Sequence, residues 1–127
     1  MRYTTIMLNL NSVMIGTHQP KVLAAFYEKV LDQVPDMRDE DWSGWTVGSA
    51  FLSIGAHSEI KGKAKEPQRV IFNFETKEVK EEFDRIKQIE GAEVIKEPYN
   101  PDETSEMLIA TFADPDGNYF QLASPWE

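Results

Sequence analysis

Residues 6–31 read I-M-L-N-L-N-S-V-M-I-G-T-H-Q-P-K-V-L-A-A-F-Y-E-K-V-L, and the fold is decided here. Apolar and polar residues alternate from Leu8, with Val13 and Ile15 on one face, which predicts a strand over 6–16. Pro20 then stands where a helix loses nothing by lacking an N–H, in its first turn. Val22, Leu23, Phe26, Val30 and Leu31 follow at helical spacing, so 20–31 is expected to be a helix with one buried stripe. Pro35, Gly44, Gly48 and Gly55 cut the next stretch into short strands near 37–42, 44–48 and 50–55.

The same order then returns. A polar, Lys-rich connector spans 57–68. Residues 69–76 (R-V-I-F-N-F-E-T) read as a strand. Thr76 is expected to cap a helix carrying Val79, Phe83, Ile86 and Ile89, which Gly91 ends. Strands follow near 92–97, 107–113 and 118–124, the last two joined by D-P-D-G-N (114–118). Gly117 or Asn118 can supply the positive φ of that tight reversal. An offset of 59 lays Ser12, Val13 and Ile15 on Ile71, Phe72 and Phe74, and F-L-S-I-G (51–55) matches Y-F-Q-L-A (119–123). Order and periodicity carry this repeat, not shared letters. The expected architecture is a single α+β domain over 1–127. Two βαβββ modules, about 6–56 and 69–124, form a curled mixed sheet around a cleft.

Composition narrows the function classes. A chain of 127 residues with 41% apolar content can bury one core. The net charge of −9 leaves no basic stripe for phosphates, so no nucleic-acid partner is expected. No apolar run approaches a membrane span of roughly 18 residues, and Asn9 and Asn11 interrupt the one apolar stretch near the start. The absence of cysteine excludes thiol nucleophiles and thiolate metal sites and fits a reducing, cytoplasmic setting.

Alternation divides each strand into two faces. Val13, Ile15, Leu52, Ile54, Val70, Phe72, Phe74, Phe120 and Leu122 form a uniformly apolar set, suited to lie under two helices. Ser12, Met14, Phe51, Ser53, Ile71, Asn73, Tyr119 and Gln121 form the other, mixing aromatics with neutral hydrogen-bonding groups. Such a mixture suits a cleft for a small organic molecule; a solvated face or one covered by a second copy is the other reading. Trp42 and Trp45 lie on opposite faces of a regular strand, and Trp45 is assigned to the cleft, with core packing as the alternative. His57, in A-H-S-E after the fourth strand, falls near the cleft mouth, where it is either a site residue paired with Glu59 or a loop histidine. His18 reads as a turn residue.

N-S-V-M-I-G with F-Y-E-K-V-L in the first half, and A-T-F-A-D-P-D-G-N-Y-F-Q-L in the second, resemble the vicinal oxygen chelate superfamily. That group includes glyoxalase I, bleomycin-resistance proteins, fosfomycin-resistance enzymes and extradiol dioxygenases. The resemblance covers essentially the whole chain and implies paired βαβββ modules around a cleft, commonly in a homodimer. It also implies a divalent metal held by one residue from each of four cleft strands. Those places fall here on Ser12, Ser53, Ile71 and Gln121, of which only Gln121 offers a usable carbonyl oxygen. No cofactor and no metal ligand are therefore expected. The leading expectation is a metal-independent protein of the glyoxalase/bleomycin-resistance type that binds a drug-like, planar or cationic compound. The alternative is a metal-dependent glyoxalase- or dioxygenase-like lyase or oxidoreductase with non-standard ligands; its catalytic residues are unknown. A third reading is a non-catalytic module whose cleft is closed by dimerisation.

Overall fold

The computed structural model describes residues 8–125. Each half is a βαβββ unit. The first comprises β1 (Ser12–Thr17), α1 (Pro20–Leu31), β2 (Met37–Arg38), β3 (Trp42–Val47) and β4 (Ala50–Ala56). The second comprises β5 (Phe72–Glu75), α2 (Val79–Ile86), β6 (Glu93–Tyr99), β7 (Ile109–Ala113) and β8 (Tyr119–Ala123). The strands form two mixed four-stranded sheets, ordered β1-β4-β3-β2 and β5-β8-β7-β6. In each sheet the strand before the helix lies parallel to the last strand of its unit.

The register reproduces the repeat. Val13 pairs with Leu52 and Ile15 with Ile54, as Phe72 pairs with Phe120 and Phe74 with Leu122. The helix exits differ: Asp32 caps α1 with φ 53°, whereas α2 stops at Ile86 with Lys87 as a right-handed cap, short of the expected Ile89 and Gly91. Gly91, at the offset of 59 from Asp32, lies in the turn beyond α2 with φ 100°. Both positions reverse the chain through the left-handed region, where Gly and, among other residues, Asp are best tolerated.

Several boundaries differ from expectation. The first strand begins at Ser12 rather than residue 6; positions 8–11 are not strand, and 6–7 lie outside the described residues. Val22 faces solvent and Tyr27 takes its place in the buried stripe of α1. Val70 is 66% exposed, because a short 3-10 turn over Pro67–Arg69 precedes it and the β5 alternation starts only at Phe72. Thr76 is not the N-cap of α2, which is Glu78; its Oγ1 instead accepts the Glu78 N–H at 3.0 Å.

The helix-side faces of both sheets enter one core. Phe120 lies at its middle, with ring centroids 5.5 Å from Phe112, 5.8 Å from Tyr27 and Phe74, and 6.1 Å from Phe26. Two of those rings come from α1, so the first helix packs against the second sheet as well as its own. Polar ties run beside this packing. The Arg85 guanidinium of α2 donates to the carbonyls of Lys29 and Val30 at 2.9 and 2.6 Å, satisfying acceptors that the end of α1 leaves free.

Candidate functional site

The turn D-P-D-G-N is a fastening between the halves. Asp114 and Asp116 are each 3% exposed. Tyr27 donates its hydroxyl to Asp114 Oδ2 at 2.7 Å. The backbone N–H groups of Asp116 and Asn118 donate to Oδ1, both at 2.9 Å. Asp116 accepts from Thr17 Oγ1 and Gln19 Nε2, both at 2.6 Å. The β7–β8 turn is thereby bonded to the β1–α1 junction. Burial pushes the Asp114 carboxyl above its ordinary value, while the donors from Tyr27, Asn118 and Asp116 pull it back. Burial, then the neighbouring Asp114 carboxylate, push the Tyr27 phenol up. Gly117 closes the turn at φ 84°.

The side of each sheet away from the core carries the candidate cleft residues, and the two sides differ in chemistry. On the first sheet, cross-strand pairing sets Ser12, Phe51 and Thr46 in one row, Met14, Ser53 and Gly44 in the next, and Gly16, Gly55 and Trp42 in the third. Three glycines therefore share this face. A Cβ on Gly44 would run into the Phe51 ring, and one on Gly55 would meet Trp42 Cδ1 at 3.1 Å. Their absence lets the aromatic rings lie low over the sheet. Trp42 and Phe51 stack there at 6.1 Å between centroids, inclined by 27°. Met14 beside them is 56% exposed.

On the second sheet the corresponding row is Asn73, Gln121 and Thr111. Gln121 donates its amide N–H to Thr111 Oγ1 at 3.1 Å, which leaves its carbonyl oxygen free to accept. Asn73 is exposed, and Tyr119 flanks Gln121 half-buried on the same face.

Ser12, Met14, Phe51 and Ser53 thus gather on one sheet, and Asn73, Tyr119 and Gln121 on the other. Trp45 does not belong to either set. It pairs with Leu52, is fully buried in the core, and donates its indole N–H to the Gln33 carbonyl at 2.9 Å. Odd spacing separates the two tryptophans correctly but assigns the wrong one to the open face; that place is taken by Trp42. The partner register was needed to tell them apart, since Leu52 is a core residue and Gly55 is not. His57 is exposed, beside the Thr17–His18 end of the first sheet. Its Nδ1 accepts the Glu59 N–H at 3.2 Å.

The four places where the superfamily carries metal ligands hold two serines, an isoleucine and one amide. Among the described residues, no three His, Asp or Glu side chains gather as a metal-binding group elsewhere. This donor set does not fit a tightly bound divalent ion. Nor, among the described residues, is any helix long and apolar enough to cross a membrane.

Paired βαβββ units with open sheet faces define the vicinal oxygen chelate class. A family model described as a glyoxalase-like domain matches residues 12–123, and the chain belongs to that family. A search of curated proteins gave no match. Among solved structures, a glyoxalase-related enzyme from Fulvimarina pelagi is similar at TM-score 0.76 and 14% identity, over 94% of this chain and 89% of that one. A glyoxalase/bleomycin resistance protein/dioxygenase family enzyme from Burkholderia phytofirmans is similar at TM-score 0.70 and 24% identity, over 92% and 98%. The E144Q mutant of glyoxalase I from Zea mays gives TM-score 0.71 and 19% identity, over 91% of this chain and 46% of that one. These likenesses establish a shared fold.

Proposed function

We propose that this member of the glyoxalase-like family is a cytoplasmic, metal-independent small-molecule binding protein that works as a homodimer. The observation that carries the reading is the contrast between its open faces. One offers an apolar, ring-bearing floor, and the other a row of neutral hydrogen-bonding groups. An apolar wall that removes a ligand from water, with a few polar groups that orient it, is the usual composition of an organic-ligand site. Serine and isoleucine at the ligand places argue against the metal-dependent lyase or oxidoreductase alternative.

Metal analysis tests this directly. Protein purified without chelator and then dialysed is expected to hold no stoichiometric Zn, Ni, Mn or Fe. A tightly held, stoichiometric metal that Gln121→Leu releases would sink the proposal. A thermal-shift screen of organic compounds, run with and without added metals, should find its stabilising ligands independent of metal.

The dimer rests on edges and faces. Among the described residues, β1 and β2 end one sheet, β5 and β6 end the other, and no ladder joins the two. Unpaired edges and exposed apolar faces invite a partner. Met14 and Met37 are each more than half exposed, and both sit on the first sheet's open face. Sedimentation at micromolar concentration is expected to show twice the chain mass of 14.5 kDa; a monomer alone refutes this assembly.

A further inference from the structure

We propose that one corner of the first sheet's open face, bounded by Met14, Trp42, Gly55 and the Asp39–Asp41 loop, binds an alkylated ammonium group. The inference rests on the small-molecule reading above and names the chemistry of one end of the ligand. The corner is a cavity of about 520 Å³ lined by Met14, Asp39, Glu40, Asp41, Trp42, Gly55 and Ala56. Its floor is set by Gly55, whose missing Cβ leaves room for the Met14 methyl and the Trp42 indole, each 3.1 Å from where that Cβ would stand. Phe51 stacks beside the indole.

Three carboxylates stand at the rim, and none takes part in an ion pair among the described residues. Asp39 Oδ1 accepts only the Asp41 N–H, at 3.0 Å. The cavity lining includes no Lys, Arg or His. The nearest cation in sequence, Arg38, is engaged by Glu28 at 2.9 Å. Charges are screened beyond about 8 Å at physiological salt, so the field here is set by the three rim carboxylates against Lys21 and Arg38, which line the adjoining hollow shared by Asp39, Glu40 and Trp42.

The wall atoms fit such a guest. An indole, a thioether and a glycine backbone carry no positive charge to hold an anion, and their one side-chain donor is the Trp42 indole N–H. An indole face does attract a cation, and aromatic surfaces recognise quaternary ammonium groups. A neutral guest of equal shape would gain the apolar contact without the charge. A carboxylate or phosphate would be repelled by the rim. The remainder of the ligand is free to extend along the Phe51–Ser12 row.

Choline and its uncharged isostere 3,3-dimethylbutanol separate shape from charge. Both are titrated into the full chain while the assigned indole N–H resonance of Trp42 is followed by NMR. Choline is expected to shift that resonance saturably, at least about fivefold more tightly than the alcohol. Trp42→Leu, followed at the Met14 methyl resonance on the same corner, should abolish site binding. Glu40→Gln combined with Asp41→Asn should weaken choline but not the alcohol; both positions are exposed, so the fold is left intact. Equal affinity for the two probes overturns the ammonium assignment and leaves the small-molecule reading standing. A response at the Gln121 amide with none at Trp42 overturns the location only. Silence at both positions, together with an empty thermal-shift screen, removes both readings.

Discussion

Phe120→Ala is expected to cost about 3–5 kcal/mol of folding stability, the range for removing a fully buried phenylalanine. Phe120 is wholly buried and meets four other rings. The neighbours come from both halves, Phe26 and Tyr27 from α1, Phe74 from β5 and Phe112 from β7. No single segment can therefore relax into the space without disturbing the others, which places the variant toward the upper end. With total stabilities of about 5–15 kcal/mol for such domains, this loss lowers the melting temperature by roughly 10–20 °C. Urea denaturation of wild type and variant measures it. A loss below about 1 kcal/mol would mean that the two halves do not share this core. Phe72→Ala, one strand over, should cost less, because Phe72 is only half-buried and packs at the margin of the cluster. Strand periodicity alone assigns these two phenylalanines the same weight, and burial separates them.

That difference marks how far the sequence reaches. Periodicity reports which side of an element a residue lies on, and for α1 Pro20 and the Leu23, Phe26, Val30 spacing predict the helix that forms, although the same spacing puts Val22 on the buried side where Tyr27 lies. The offset of 59 also survives as a true register, since Val13–Leu52 and Phe72–Phe120 are equivalent cross-strand pairs. Alternation fails where the backbone leaves the strand. Val70 continues the apolar rhythm of Phe72 and Phe74, but it follows directly on a 3-10 turn, and the pleat that would bury it has not begun. Trp42 and Trp45 show a second limit: parity separates two faces without saying which is inside. The glycines on the open face are legible only as turn signals until the partner strands are known, whereupon Gly44 and Gly55 become the floor beneath two rings. The family resemblance assigns four strands to a cleft, and the residue types on them, not the fold, carry the functional proposal.

Least legible of all was the role of Asp114. Nothing within its own segment announces that Tyr27, 87 residues earlier, points at it. Asp114→Ala is expected to cost about 3 kcal/mol or more, because the Tyr27 hydroxyl and the Asp116 and Asn118 N–H groups lose their acceptor in a buried setting, each at about 1–3 kcal/mol. Asp114→Asn should cost less at neutral pH, since one oxygen remains to accept, although its NH₂ then faces a donor. The pair of Asp and Asn proteins also reports on protonation. Burial raises the folded-state value of Asp114 above the ordinary 3.8, despite the opposing hydrogen bonds. Between these two values the folded state holds the proton more than the unfolded chain does, so this group's contribution is complete below 3.8 and is lost as pH rises through the folded value. The stability advantage of wild type over Asp114→Asn should therefore widen as pH falls from neutral toward 3.8. Guanidinium denaturation of both at matched ionic strength across that interval gives the difference directly. An advantage that narrows on acidification would show that the donors from Tyr27, Asn118 and Asp116 outweigh burial, and that Asp114 is held as a carboxylate.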